Sequence, residues 1–204
     1  MNPPTTDLAQ IEATLRLIDR EVWIITAADD GRAGGLVATW VSAASIDRER
    51  PALLAGFGPN HFTTELVQAS RAFGAHLLRR EQIELAWNFA RDSGRDRDKL
   101  HGLKVERRHT GSPILVECLA WFDCRVFARY DAGDRLFFWA DIVGGSHREP
   151  IGSKDSTEEN GPLREHDFFR GLSDEQRQIL VRARDADAAY YRPLNEKWRL
   201  AKPW

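Results

Sequence analysis

The 204-residue sequence lacks the features that mark several large classes of protein. It has only two cysteines, Cys118 and Cys124, which is too few for a disulfide framework. No apolar run approaches the length that spans a bilayer. Residues 1–16 lack the basic segment followed by an apolar one that is typical of a signal peptide. We therefore expect a cytoplasmic protein that does not contact a membrane.

An excess of charge of either sign is also missing. Lys and Arg total 29 and Asp and Glu total 31, so the formal net charge is -2 and the isoelectric point is near 6.3. Because this balance offers no broad basic surface, we expect no nucleic-acid partner. Hydrophobic residues make up 42% and charged residues 29% of the chain, which is typical of one globular domain with a real core.

Familiar catalytic and metal-binding motifs are absent as well. The sequence contains no G-x-S-x-G, P-loop or H-E-x-x-H pattern. Cys118 and Cys124 lie six residues apart on one face of a predicted strand, and no histidine stands beside them at metal-ligand spacing. We expect both to be buried apolar side chains, and we predict no metal site and no catalytic residue.

What the chain does contain is a series of short apolar segments. Helices are predicted at 7–18, 61–70, 82–91 and 173–192, the last from a capping box at Ser173 and Gln176 to Pro193. Strands are predicted at 22–28, 36–46, 52–57, 73–78, 113–129 and 136–143, the last two as a hairpin. The polar segment 147–165 predicts a surface loop. Few strands alternate with crossover helices, which favours a mainly β fold, an antiparallel barrel with peripheral helices.

The most informative segment is 35–57. Small polar side chains on its first strand, such as Thr39, Ser42 and Ser45, could hydrogen-bond the edge of a flat heterocycle. In a regular strand Thr39 and Ser45 share one face, and Trp40 and Ser42 share the other. The alternative is an ordinary strand whose hydroxyls bond neighbouring backbone, with Trp40 in a core or an interface.

A helix start follows this segment. The turn Gly58-Pro59-Asn60 opens the predicted helix, and free N–H groups at a helix N-terminus bind anions. His61 and Thr63 would add donors for a phosphate group. The alternative is that Asn60 simply caps the helix. The basic side chains of the loop 93–99 could reach the same phosphate or form a solvated cluster.

Taken in order, these segments resemble the FMN-binding split-barrel family of flavin reductases, over roughly residues 10–145. The glycine-initiated strand and acidic turn of that family correspond to Gly35, Thr39, Ala43, Ser45, Asp47 and Pro51. Its helix start corresponds to Asn60, His61 and Thr63. Its Phe-x-Val-Asn-Leu-Leu strand corresponds to residues 73–78, with His76 at the asparagine. The Thr-Trp-Val-Ser segment, 39–42, resembles the flavoredoxin branch.

The resemblance implies an FMN-binding split-barrel domain over residues 1–145, with a loop and helical extension, 146–204, packed on the same domain. It implies FMN as the cofactor, with FAD as an alternative, and a homodimer. The implied contacts to the flavin ring and ribityl chain are Thr39, Trp40, Val41, Ser42, Ala43 and Ser45, and His76 takes the place of an asparagine of the site. Those to the phosphate are Asn60, His61 and Thr63.

The implied activity is an NAD(P)H-dependent flavin reductase that passes hydride from the nicotinamide to flavin N5, with an oxygenase or a redox protein as partner. The alternatives are an FMN electron carrier that does not oxidise NAD(P)H, or a flavin-binding or structural barrel without this chemistry.

Two departures from the family pattern concern the approach to the flavin. Arg135 stands where many members carry histidine, and the predicted helix 173–192 either covers the site or extends a dimer interface.

Overall fold

A computed structural model describes residues 7–148 and 161–201. The strands are β1 (Trp23–Asp29), β2 (Arg32–Ala38), β3 (Val41–Ala43), β4 (Ala52–Phe57), β5 (Ala72–Leu77), β6 (Val105–Arg107), β7 (Pro113–Leu115), β8 (Ala120–Asp131) and β9 (Leu136–His147). The helices are α1 (Leu8–Leu15), α2 (Phe62–Ser70), α3 (Ile83–Ala90), α4 (Glu165–Gly171) and α5 (Asp174–Ala201). Helices α1, α2 and α3 fall within the predicted ranges.

Seven strands form one antiparallel sheet in the order β2-β1-β5-β8-β9-β4-β3, and β6 pairs with β7. The sheet curls into a half-barrel, so that β2 also approaches β4. The helices lie at its periphery. The predicted mainly β, antiparallel split-barrel architecture with peripheral helices is therefore confirmed.

Strand β1 is buried on both faces, which explains its nearly continuous apolar sequence. Ile25 and Ala27 face a cluster that includes Phe73 and Phe138 inside the curl. Ile24, with the opposite orientation, joins a second cluster beneath α3 and α4. Because side chains alternate along a strand, one apolar segment supplies both clusters.

The turn between β1 and β2 forms as the sequence predicts. Asp30 and Gly31 both have positive φ, 46° and 74°. This is the conformation that a two-residue hairpin of type I′ requires, and aspartate and glycine tolerate it well.

The predicted strand 36–46 is wrong as a single strand. It divides at Thr39 and Trp40, because β2 pairs with β1 whereas β3 pairs with β4. These two strands form the opposite edges of the described sheet, so one straight strand cannot join both ladders. The segment around Thr39 and Trp40 thus carries the chain from one edge of the half-barrel to the other.

The predicted strand 113–129 is also divided. Cys118 lies in the turn between β7 and β8, so it does not share a strand face with Cys124. The two side chains belong to different hydrophobic clusters. Both are buried, as predicted, and burial raises the pKa of the Cys118 thiol to about 11 and that of Cys124 further.

The C-terminal helix α5 begins as predicted and ends later. Ser173 N–H donates to Gln176 Oε1 at 2.8 Å, and Gln176 N–H donates to Ser173 Oγ at 3.2 Å, so the capping box is confirmed. Pro193 lies inside the helix and does not end it. Proline deprives one carbonyl of its helical partner. The helix nevertheless continues, and the Trp198 indole beyond the proline donates to Asp131 O at 2.8 Å.

The predicted loop 147–165 falls only partly within the described residues. Residues 149–160 lie outside the described residues, whereas His147 belongs to β9 and Glu165 begins α4. No helix in the ranges 7–148 and 161–201 is both long and apolar enough to cross a membrane.

Candidate functional site

A cleft of about 960 Å³ opens between the half-barrel and the C-terminal helices. One side consists of β2 from Gly35 to Val37, with Thr39 beyond its end and Phe89 beneath it. The start of α2 forms one end, and α4 and α5 form the facing wall. The wall residues from α4 and α5 include Phe168, Phe169, Leu180, Asp187, Tyr191 and Arg192.

The predicted ring contacts are only partly brought together. Thr39 lines the cleft, and Trp40 lies at its rim with 39% of its surface exposed. The Trp40 ring stacks on Phe137 with an interplanar angle of 8°. The guanidinium of Arg135, which also lines the cleft, lies 4.9 Å from the centroid of the Trp40 ring. Arg135 is thus at the approach to the cleft.

The remaining residues of this group lie on or after β3, outside the cleft lining. Val41 is half-buried, whereas Ser42, Ala43 and Ser45 are exposed. Ser42 Oγ donates to Ala43 O at 3.2 Å, and Ser45 Oγ accepts from Asp47 N–H at 3.1 Å. Both hydroxyls therefore have local backbone partners, as in the ordinary alternative.

Asn60, His61 and Thr63 meet at one end of the cleft. The prediction that Asn60 caps α2 is wrong. The N-cap is His61, and in the described structure its side chain makes no capping hydrogen bond. The third and fourth amides of the helix donate to His61 O at 3.0 and 3.3 Å, so in the described structure the two amides left to a ligand are those of Phe62 and Thr63. Thr63 is only 2% exposed.

The charges around this end are mixed. His61 Nε2 lies 3.6 Å from the Asp187 carboxylate. Burial lowers the pKa of His61, and Asp187 opposes this effect only in part. Arg95 donates to Asn60 O at 3.2 Å and forms an ion pair with Glu65. An anion bound here would meet His61 and Arg95 as donors, with the carboxylates of Asp187 and Glu65 nearby.

Lys99 is a buried cation in the cleft wall. Its side chain is 4% exposed, and Nζ donates to Phe89 O at 2.8 Å. Burial, with Arg97 nearby, lowers the pKa of Lys99 to about 8. The Arg97 guanidinium instead donates to Asn88, to both the backbone carbonyl and the side-chain oxygen of that residue. Of the three basic side chains in the loop, Arg95 and Lys99 therefore line the cleft.

His76 is fully buried away from the cleft. Its Nδ1 lies 2.9 Å from Ile24 O, and its Nε2 lies 3.0 Å from Leu115 N. The ring therefore donates through Nδ1 and accepts through Nε2, and burial lowers its pKa to about 4. His76 is therefore an internal, hydrogen-bonded histidine that joins neighbouring strands. Both ring nitrogens are occupied, so we no longer include His76 among the flavin contacts.

The sequence left open whether the C-terminal helix covers the site or extends a dimer interface, and it did not predict α4. Tyr191 and Asp187 reach the start of α2, more than a hundred residues earlier in the chain. The capping box predicted the helix, but it carries no information on what the helix covers. No group of three metal-ligating side chains lies together within the two described ranges.

A family model described as a flavin reductase like domain matches residues 15–163. The chain belongs to the flavin reductase-like family. A flavin reductase of Pseudomonas putida is 33% identical over 139 residues, which is 66% of this chain and 75% of that protein. Diflavin flavoprotein A 1 of a Synechocystis strain is 25% identical over 138 residues, 67% of this chain. This chain spans only 24% of that longer relative.

The structure of a flavoredoxin from Methanosarcina acetivorans has the same fold. It superposes with a TM-score of 0.63 at 20% identity and covers 80% of this chain and 83% of the flavoredoxin. The match to the flavin reductase-like family ends at residue 163, so α4 and α5 lie beyond it. One wall of the cleft in this family member is therefore built from residues outside the family match.

Proposed function

We propose that this protein is an NAD(P)H-dependent flavin reductase that binds FMN in the cleft. The observation that carries the proposal is that Thr39, after β2, and the uncapped start of α2 face one cleft. Membership of the flavin reductase-like family and the similarity to the Pseudomonas putida enzyme support it. FAD is the alternative flavin.

The start of α2 fits the phosphate end of the flavin. The first two amides of α2, the Thr63 hydroxyl and the Arg95 guanidinium are donors to an anion, and the helix dipole adds to them. His61 is a further donor, and Asn60 lines the cleft in the turn that precedes the helix. Lys99 supplies positive charge in the same wall.

The ring end of the flavin is assigned to Thr39 and the segment that follows it. Trp40 offers an exposed aromatic face. The edge strand β3 offers outward backbone groups at Val41 and Ala43, with the hydroxyls of Ser42 and Ser45 beside them. When bound, the flavin supplies the acceptor for a hydride. The residues of the chain have to hold it, orient it and exclude water.

The rim fits a second ligand. The Arg135 guanidinium lies over Trp40 and lines the cleft, so it can contact a phosphate or carboxamide of a nicotinamide nucleotide.

We further propose a cytoplasmic homodimer with an oxygenase or redox-protein partner. The exposed Phe127 and Tyr130 of β8 suit a dimer contact. The division into a domain, 1–145, and an extension, 146–204, belongs to the same proposal.

The second candidate is an FMN electron carrier that does not oxidise NAD(P)H. Arg135 in place of the histidine of many reductases favours it, as does the Thr-Trp-Val-Ser segment that resembles flavoredoxins. The similarity to a flavoredoxin structure is a likeness of fold alone.

An anaerobic reduction experiment separates the two candidates. The purified protein is loaded with FMN, its visible spectrum is recorded, and NADH or NADPH is added. We expect the flavin absorbance to bleach within seconds. Bleaching only with dithionite or a partner reductase would establish the carrier instead. A protein that takes up no FMN would overturn both functions.

The phosphate assignment predicts a selective effect of Thr63→Val. This change keeps the shape of a buried side chain and removes its hydroxyl. FMN affinity should fall about tenfold, the effect of one hydrogen bond to a charged group. Riboflavin, which has no phosphate, should bind both proteins equally in a fluorescence-quenching titration. An equal loss for both ligands would indicate damage to α2, and no loss would place the phosphate elsewhere.

A further inference from the structure

Helix α5 reaches into the end of the cleft that the proposed function assigns to phosphate. Tyr191 accepts the Asn60 N–H at 3.1 Å through its hydroxyl oxygen and donates the hydroxyl proton to Asn60 Oδ1. The Tyr191 side chain is only 3% exposed, and burial raises its pKa, so the hydroxyl keeps its proton. The neutral hydroxyl thus bonds both the N–H group and the side-chain oxygen of Asn60, in the turn before α2.

Asp187 brings a negative charge to the same place. It lies one helical turn before Tyr191, and its carboxylate is 3.6 Å from His61 Nε2. The positive groups that line the cleft around this pair include Arg135, Lys99, Arg184 and Arg192. The carboxylate therefore lies in a position that suits an anion.

The attachment of α5 to the barrel is weak for a helix of 28 residues. Among its residues, all of which the structure describes, Tyr191 alone is buried, and Leu180 packs, partly buried, against the second hydrophobic cluster. Farther along, Asn195 packs against Gly133, and the Trp198 indole donates to Asp131 O at 2.8 Å. Segments with few buried apolar contacts open at low free energy.

Helix α4, in contrast, is firmly anchored. Phe168 and Leu172 are buried in the second hydrophobic cluster, and Asp167 pairs with Arg80 at 3.1 Å. The chain leaves this anchor at Leu172 and enters α5 at the Ser173 cap. Pro193 interrupts the helical hydrogen bonds two residues after Tyr191. A fixed α4 and a loosely held α5 allow α5 to move while the rest of the wall stays in place.

We propose that α5 is a gate over the phosphate end of the flavin cleft, closed by Tyr191 and Asp187 and opened by the phosphate of the incoming flavin. The gate rests on the proposed function, because it requires a flavin in this cleft. A phosphate dianion and the Asp187 carboxylate repel each other at one helix start, so binding of the phosphate favours the open arrangement. A flavin that lacks phosphate makes no such demand.

Amide hydrogen exchange tests the gate in the intact protein. FMN, at saturation, should speed amide exchange within residues 183–195 about tenfold or more. A helix that has lost its contacts with the barrel breaks its backbone hydrogen bonds more often, and exchange needs those bonds to be broken. Riboflavin at saturation should leave the same amides unchanged. The amides of β1 and β5 are the internal reference, since both strands are buried in the sheet.

Two substitutions test the closing residues. With Asp187→Asn, FMN affinity should rise about five- to tenfold and riboflavin affinity should stay constant, since only the phosphate meets the carboxylate. The control Asp185→Asn removes the same charge from an exposed position on the same helix. Tyr191→Phe should strengthen FMN binding about fivefold by removing the hydroxyl contacts to Asn60. The control for Tyr191→Phe is Tyr190→Phe, which removes a hydroxyl from the exposed neighbouring residue.

The outcomes distinguish the gate from the function on which it rests. If FMN binds normally but protects α5 from exchange, or Asp187→Asn weakens FMN binding, α5 holds the flavin and the gate is wrong. Unchanged exchange on FMN binding also rejects the gate and leaves the flavin reductase proposal standing. If the unaltered protein binds no flavin at all, the proposed function fails and the gate fails with it.

Discussion

Replacing His76 by alanine is expected to lower the free energy of unfolding by about 4 kcal/mol. The His76 ring joins three strands, because it donates to Ile24 O of β1 and accepts from Leu115 N–H of β7 while it sits on β5. Its removal leaves both backbone groups buried without a partner and also leaves a cavity. Denaturant unfolding followed by tryptophan fluorescence measures the loss.

His76→Asn is the informative companion, because the family pattern has asparagine at this position. The shorter amide can replace one of the two hydrogen bonds, so we expect about half of the loss seen with alanine. His101→Ala, at an exposed site, should leave the unfolding midpoint unchanged. A His76→Ala protein as stable as the unaltered one would contradict the assigned hydrogen bonds.

The same residue predicts how stability depends on pH. In the folded protein burial lowers the pKa of His76 from 6.5 to about 4. The unfolded state therefore binds the proton more readily, and the contribution of His76 is fully present above pH 6.5. It is lost as the pH falls from 6.5 toward 4, by about 3 kcal/mol in all. The His76→Asn protein should have a shallower acid dependence over this range.

Gly35→Ala is expected to cost about 2–3 kcal/mol of stability and to weaken FMN binding more than tenfold. A Cβ atom at Gly35 would lie 2.5 Å from Phe89 Cε1 and 3.0 Å from Ile25 O. Phe89 is 1% exposed, so its ring has no free space into which it can turn. Because Gly35 and Phe89 both line the cleft, the clash also distorts the proposed flavin site.

A second-site change tests the cause of this effect. The double variant Gly35→Ala with Phe89→Leu removes the ring that clashes, so it should be more stable than the sum of the two single changes predicts. Unfolding curves and FMN titrations of the four proteins provide the measurement. Additive losses would show that the Phe89 contact is not what excludes a side chain at position 35.

The sequence determined the local structure of this protein because local rules depend on neighbouring residues. The Asp30–Gly31 turn, the Ser173 capping box and the boundaries of α2 and α3 need only contacts across a few positions. The ordered resemblance to flavin reductases added the half-barrel, which the structure confirmed. The position of Thr39, between strands at opposite edges of the described sheet, already depended on pairing that local patterns do not contain.

Only the tertiary structure decided how the cleft is closed. Asn60 has the residue type and the position expected of a helix cap. Its side chain instead bonds Tyr191, 131 residues away, and His61 is the N-cap. His76 has the position of a cofactor contact, yet backbone groups of β1 and β7 occupy both of its nitrogens. Such assignments result from competition between partners that only the fold brings together. For that reason the sequence could predict α5 as a helix but could not decide between a place over the proposed phosphate site and a place in a dimer interface.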